Sequence, residues 1–352
     1  MKNKINTLVL SSLMGSLFLC SGFAQTNQKL AQTGFGFLSV SSDARASGMA
    51  EAMTSAETNS SSLFFNPAGM SRMTKYFEVS ASSNQWIADI KHYTVGMAIN
   101  PAHGDYGVLG FSLQYVDYGN FIGTRVNRST DKGYDDIGLF KLNAMALGVG
   151  YAKSLTDRFC VGGQIRWARQ DLGDSYIPNE FRTTPLLDSL GQPIANRYAD
   201  SAQTVTNKLT PLVFDFGTQF KTGIKSLVFG MSVRNFSGDI KYAQEGFQLP
   251  LVFTLGISMN LMDFFDNVGL DQSLLMSVDA SHYRDHPEQL KVGLEYTILN
   301  MLSLRTGYIT NNDESGMSYG VGVSKFGFAF DYSYSPFGIF NKVQRMTARF
   351  TF

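Results

Sequence analysis

The sequence predicts an all-β protein, a transmembrane antiparallel barrel of about fourteen strands. Three observations predict it. Apolar and polar residues alternate with a period of two in stretches of about ten residues, recurring along most of the chain, and about ten tilted residues cross a bilayer as a β-strand. Charged residues make up only 16% of the 352 residues, below the roughly 25% of soluble domains. No stretch beyond the amino-terminal region approaches the roughly 18 uninterrupted apolar residues of a membrane helix.

The chain divides into three parts. Residues 1–24 read as a secretory signal, with Lys2 and Lys4 as its basic start, Leu8 to Leu19 as its apolar run and small residues at Gly22 and Ala24 before Gln25. Phe18 and Leu19 are too bulky for a lipobox before Cys20. Beyond the signal Cys160 is the single cysteine, so no intrachain disulfide forms. Removing Lys2 and Lys4 leaves 27 basic against 29 acidic residues. That near-neutral balance argues against a nucleic-acid partner, which calls for a basic face.

Residues 25–74 are rich in Ser and Ala and contain no spanning strand. Ala and Met recur at roughly helical spacing from Ala44 to Ala56, and Pro67 is expected to end any such helix. From residue 75 to 352 fourteen strands are expected, with twelve and sixteen left open: 75–85, 91–100, 106–119, 142–154, 157–170, 209–222, 225–236, 249–262, 272–285, 288–299, 301–311, 316–325, 326–336 and 343–352. Leu109, Phe111, Leu113 and Tyr115 alternate with Gly110, Ser112 and Gln114; Phe326, Phe328 and Phe330 alternate with Gly327, Ala329 and Asp331. The apolar side would meet lipid and the small or polar side the lumen.

Connection lengths give the orientation. The stretches 120–141 and 171–208 are long and polar, whereas 101–105, 155–156, 223–224 and 300 are short and 263–271 is intermediate. Long loops outside and short turns in the periplasm are the rule for these barrels, which places the chain in the outer membrane of a Gram-negative cell. Segments near 120–128 and 201–208 could extend their neighbouring strands beyond the bilayer. The closing strand puts Met346, Ala348, Phe350 and Phe352 toward lipid, with Phe350 and Phe352 as the terminal aromatic signal for barrel insertion, and puts Arg345 and Arg349 toward the lumen.

The lumen register collects charges of both signs: Arg166, Asp215, Arg234, Asp279, Lys291, Glu295, Arg305, Asp331, Arg345 and Arg349. They form either a binding or conduction surface, or a set of mutually paired charges filling the interior, since an unpaired charge there costs several kcal/mol. Asn66 before Pro67 suits a tight turn in which its side chain bonds the backbone two residues on. His282, His286 and Glu288 lie close in sequence, but Pro287 breaks the helix that a His pair at i, i+4 would need, so no metal is expected. Tyr115 with Tyr118, and Tyr332 with Tyr334, read as interfacial girdle. No phosphate loop or dinucleotide fingerprint occurs, so neither an enzyme nor a cofactor is expected.

Phe37-Leu38-Ser39-Val40, Asp43-Ala44-Arg45-Ala46-Ser47-Gly48-Met49 and Phe65-Asn66-Pro67-Ala68-Gly69 together resemble the amino-terminal signature of the PorV/PorQ family. Tyr151 to Phe159 and Asp331-Tyr332-Ser333-Tyr334 resemble further family segments. The resemblance implies a FadL-like barrel with residues 25–74 folded into the lumen as a plug or hatch, and Asp43, Arg45, Gly48, Asn66, Pro67, Ala68 and Gly69 as the hatch motif. Asp43 and Arg45 are then expected to hold the hatch by ion pairs. It also implies work in type IX secretion in Bacteroidetes, as an adaptor carrying secreted cargo from the translocon to surface attachment. Phe65 stands where the secretion-dedicated pattern has Trp, and Gly69-Met70 resembles the FadL side. The other reading is therefore a FadL-like channel for hydrophobic small molecules. In either case outer-membrane lipid is a partner; the further partner is the translocon with its cargo, or a hydrophobic ligand.

Overall fold

The computed structural model describes residues 33–126, 131–178, 184–187, 189–199, 202–241, 246–265, 271–312, 316–338 and 342–352. The signal region 1–24 and the start of the expected hatch, 25–32, lie outside the described residues.

Fourteen strands close into one barrel: β1 Phe77–Gln85, β2 Lys91–Ile99, β3 Val108–Val126, β4 Tyr134–Ser154, β5 Phe159–Pro178, β6 Leu212–Lys221 and β7 Val228–Phe236, then β8 Val252–Asn260, β9 Gln272–Tyr283, β10 Gln289–Ile298, β11 Leu302–Ile309, β12 Met317–Lys325, β13 Phe328–Pro336 and β14 Lys342–Thr351. Each pairs antiparallel with its neighbours in sequence, and β14 returns to β1 in the register Val79↔Phe350, Ala81↔Ala348. Closure matters because every backbone N–H and C=O in the hydrocarbon needs an internal partner, and a closed sheet has no edge. The period-two pattern sets the faces. On β3, Leu109, Phe111 and Tyr115 are exposed outward while Ser112 and Gln114 are buried inward.

Two outward connections continue the strands, as the segments near 120–128 and 201–208 suggested. Asn120–Val126 continues β3 and pairs with the start of β4, beyond the last β2 pairing at Lys91↔Asp117. Gln170–Pro178 pairs with a strand at Ala202–Leu209 that runs through Thr210 and Pro211 into β6. Proline has no N–H for the ladder, but the Pro211 carbonyl still accepts from the Ala168 amide at 3.0 Å. Above the bilayer water wets both faces, so the alternation that marks a strand disappears from the sequence although the ladder continues. Tyr118 is also displaced from the expected girdle. The register shifts between Asp117 and Asn120, with Gly119 at φ 84°, and this bulge turns Tyr118 onto the apolar cluster at the inner mouth.

Residues 33–73 lie inside the barrel and run from one end to the other. Thr33 sits at the long-loop end, bridged to Gln248, and its hydroxyl donates to Asp285 Oδ2 at 2.5 Å. Burial acts to raise the Asp285 carboxyl, but hydrogen bonds from His286 and Thr33 outweigh it, so the group titrates below its ordinary value. Phe35, Phe37 and Leu38 then pack on Val116, Ala144, Ala168 and Leu249 beneath the mouth. Only Ala44–Gly48 is α-helical, as α1, not the longer span the spacing predicts; Ala50 and Glu51 take left-handed conformations, φ 53° and 62°, and turn the chain away. Pro67 does not terminate an element but opens a 3₁₀ turn, Pro67–Arg72, because the first helical position needs no N–H. At the short-turn end Asn100 Nδ2 donates to the Met73 carbonyl at 2.6 Å, and Arg72 reaches the carbonyls of Asp157 and Arg158 at 3.5 and 3.3 Å.

This path makes a direct prediction. Gly36 is exposed and has open space around an added side chain, whereas Thr74 is exposed at the opposite end. A membrane-impermeant maleimide on intact cells should label Gly36→Cys and leave Thr74→Cys unlabelled, against a silent background from the buried Cys160. Labelling of Thr74→Cys alone would reverse the orientation.

Candidate functional site

The functional chemistry of the chain concentrates where residues 33–73 meet the lumen wall. Its centre is a chain of charges across β10, β11, β13 and β14. Arg45 holds Glu295 with two hydrogen bonds, Nε to Oε2 at 2.8 Å and Nη2 to Oε1 at 2.7 Å. Glu295 also pairs with Arg305 Nε, and Arg305 Nη1 reaches Asp331 at 2.7 Å. Arg349 approaches Asp43 at 3.7 Å, Asp331 at 3.8 Å and Glu78 at 3.9 Å. Asp43 is thus shared. One oxygen caps α1 at the Ala46 amide (2.9 Å) and the other accepts from Ser61 (2.7 Å).

Around this centre the wall clasps the hatch backbone. Lys291 pairs with Glu51 at 3.2 Å, and Asp279 accepts the Thr54 amide at 3.0 Å. Arg345 donates to the Ser41 carbonyl at 2.9 Å and to the Ser47 hydroxyl, with its guanidinium 5.5 Å from the centre of the Trp86 ring. Arg234 donates to the Phe64 carbonyl. Arg166, by contrast, is bound within the wall, to Asp215 at 2.8 Å and Asn235 at 2.5 Å.

The Asn66 turn is fixed from both sides. Its Oδ1 accepts the Ala68 amide at 3.2 Å, and its Nδ2 donates to the carbonyls of Thr54 (2.7 Å) and Thr218 (3.0 Å). Two wall glycines make room for it. A Cβ on Gly217 would fall 1.8 Å from Asn66 Oδ1, and one on Gly162 would fall 2.5 Å from the Ala68 nitrogen. Gly48 likewise lets α1 lie on the backbone of Gly320, where an added Cβ would meet the Gly320 Cα at 3.1 Å, and a Cβ on Gly69 would meet Ser62 Oγ at 2.6 Å. The space left between Ser39–Asp43, Arg166, Asp215, Arg234 and Glu51 is about 20 Å³, room for about one water.

The structure therefore gathers Asp43, Arg45, Glu295, Arg305, Asp331 and Arg349 into one network, places Asp279, Lys291, Arg234 and Arg345 along the hatch, and sets Arg166 with Asp215 apart. Phe350 and Phe352 lie on the opposite, lipid side of the wall; Phe352 is exposed. His282 and His286 form two separate pairs, with Glu288 at 3.1 Å and Asp285 at 2.7 Å. Sequence reasoning missed Glu51, Thr54, Glu78 and Gln219. Glu78 was findable, since it alternates with Ser80, Ser82 and Asn84 in the lumen register of β1. Gln219 Nε2 joins Asn66 on the Thr54 carbonyl at 3.1 Å.

A closed fourteen-stranded barrel with a lipid-facing outer register and a lumen filled by residues 33–73 defines the class: an outer-membrane β-barrel with an internal plug. Similar solved structures include the toluene transporter TbuX of Ralstonia pickettii, at 13% identity and TM-score 0.53, with 91% of this chain and 98% of that one covered. The toluene transporter TodX of Pseudomonas putida matches at 12% and 0.53, over 92% and 98%. A FadL homologue of Pseudomonas aeruginosa matches at 13% and 0.51, over 88% and 98%. These likenesses concern the fold. No curated protein matches the sequence. The family model described as type IX secretion system protein PorV matches residues 23–274, and the chain belongs to that family.

The network predicts a specific stability pattern. Glu295→Ala leaves Arg45 and Arg305 buried without their shared carboxylate, which costs about 3–5 kcal/mol. It should lower the temperature at which the barrel unfolds in detergent. Replacing Arg45, Glu295, Arg305 and Asp331 together with apolar residues of similar size should recover most of the loss. A Glu295→Ala barrel as heat-stable as the parent would show that the pair holds nothing.

Proposed function

We propose that this type IX secretion barrel works as a sealed adaptor, which holds secreted proteins at its outer surface and passes nothing through its lumen. The observation that carries the reading is the polar, packed contact between hatch and wall. The Asn66 turn rests directly on Gly162 and Gly217, and the adjoining space is lined by Arg166, Asp215, Arg234 and Glu51 and admits about one water. A hydrophobic ligand crossing there would have to displace hydrogen-bonded charges at a cost of several kcal/mol. The same packing speaks against the channel reading.

The outer extensions supply the docking platform. Ile122 and Leu139, paired across the β3–β4 ribbon, are 71% and 72% exposed above the bilayer, the kind of apolar exposure that marks an interaction surface. The partners we infer are the secretion translocon, its cargo and outer-membrane lipid in a Bacteroidetes-like cell, and no catalytic step is required of the protein.

Affinity capture from native outer membranes tests this. The parent protein should recover secreted proteins sharing a C-terminal domain, and Ile122→Asp with Leu139→Asp should reduce their recovery. Recovery of bound lipid without such proteins would contradict the adaptor reading.

A further inference from the structure

The lipid-facing wall is not uniformly covered. Where the barrel closes, β12, β13, β14 and β1 bring their outward residues into rows, because antiparallel partners stand opposite one another. The row nearest the short-turn end is Lys325, Phe328, Phe350 and Val79; the next is Val323, Phe330, Ala348 and Ala81. Two alanines side by side in the second row leave a notch, walled by the Phe328 and Phe350 rings, whose centroids are 4.7 Å apart. The resulting groove has a volume of about 510 Å³.

We propose that this groove is a binding site for one glycerophospholipid of the periplasmic leaflet, with an acyl chain in the Ala81–Ala348 notch and the phosphate on Lys325. Water gains nothing in an apolar groove at membrane depth, and an unfilled one forfeits the contacts of its lining atoms. A flexible acyl chain restores them. Charge selects the occupant. Lys325 faces outward in the lipid register of β12, and its ammonium lies 5.1 Å from the centre of the Phe326 ring. Among the described residues no carboxylate pairs with it. It stands one row, about 7 Å along the strand, below the notch, so a phosphate at the lysine puts the first acyl carbons over the alanines. Arg349 borders the groove but turns its guanidinium inward, to Asp43, Asp331 and Glu78, which leaves Lys325 as the cation facing the lipid. The site is independent of the secretion reading.

The test uses the full-length protein, delipidated in mild detergent, titrated with phosphatidylglycerol and phosphatidylethanolamine and examined by native mass spectrometry. The parent should retain one phospholipid. Ala81→Leu with Ala348→Leu fills the notch and should abolish retention of both lipids. Lys325→Gln should weaken retention roughly fivefold, the worth of one lysine against an anionic headgroup. Ile257→Ala, on the lipid face of β8 across the barrel from the groove, should leave it unchanged, and heat-modifiable mobility on gels should show each variant folded. Equal retention in the parent and the filled-notch variant would overturn the proposal. So would loss of a co-purifying protein from that variant with its lipid intact, which would assign the groove to a protein partner.

Discussion

Arg305 cannot stand in the lumen unaccompanied, and much of the interior is arranged around that constraint. It lies between Glu295 and Asp331, and Glu295 also binds Arg45 of the hatch. Withdrawing the hatch would leave a carboxylate half-satisfied and Asp43 parted from Arg349. A buried pair of this kind adds little net stability over an apolar replacement but is costly to break. In the sealed-adaptor reading its use is registration: the charges hold residues 33–73 in one placement that would close the pore.

The glycines of the wall complete the arrangement. Gly162 and Gly217 allow hatch backbone to touch strand backbone at the Asn66 turn, so the seal is made by main chain and short polar side chains with little free volume. The fold is shared with toluene transporters. The filled lumen of this barrel supports the proposal that its functional surface lies on the β3–β4 and β5–β6 extensions.

Much of this was legible in the sequence. All fourteen strands could be read from the period of two, because a wall with lipid on one side and a packed lumen on the other imposes it on every strand. The same register identified Glu295, Arg305, Asp331 and Arg349 as lumen-facing. Their pairing was not legible, since which charges meet depends on how far each strand is sheared against the next and on a hatch with no periodicity of its own. Glu51 escaped notice for that reason. Its contact with Lys291 exists because two left-handed residues turn the chain after α1. Strand continuation near 120–128 was suggested by the sequence, but its extent was hidden by the loss of an apolar face above the bilayer. The wall glycines read as small lumen residues, with nothing in the sequence to say what would press against them.

The most direct test of a sealed barrel is electrical. The purified parent protein in a planar bilayer should show no sustained ion conductance, and the same protein with residues 34–72 excised should open a steady pore of fourteen-strand size. A parent protein conducting as well as the excised form would contradict the account, because the ion pairs at Arg45 and the packed turn at Asn66 would then close nothing.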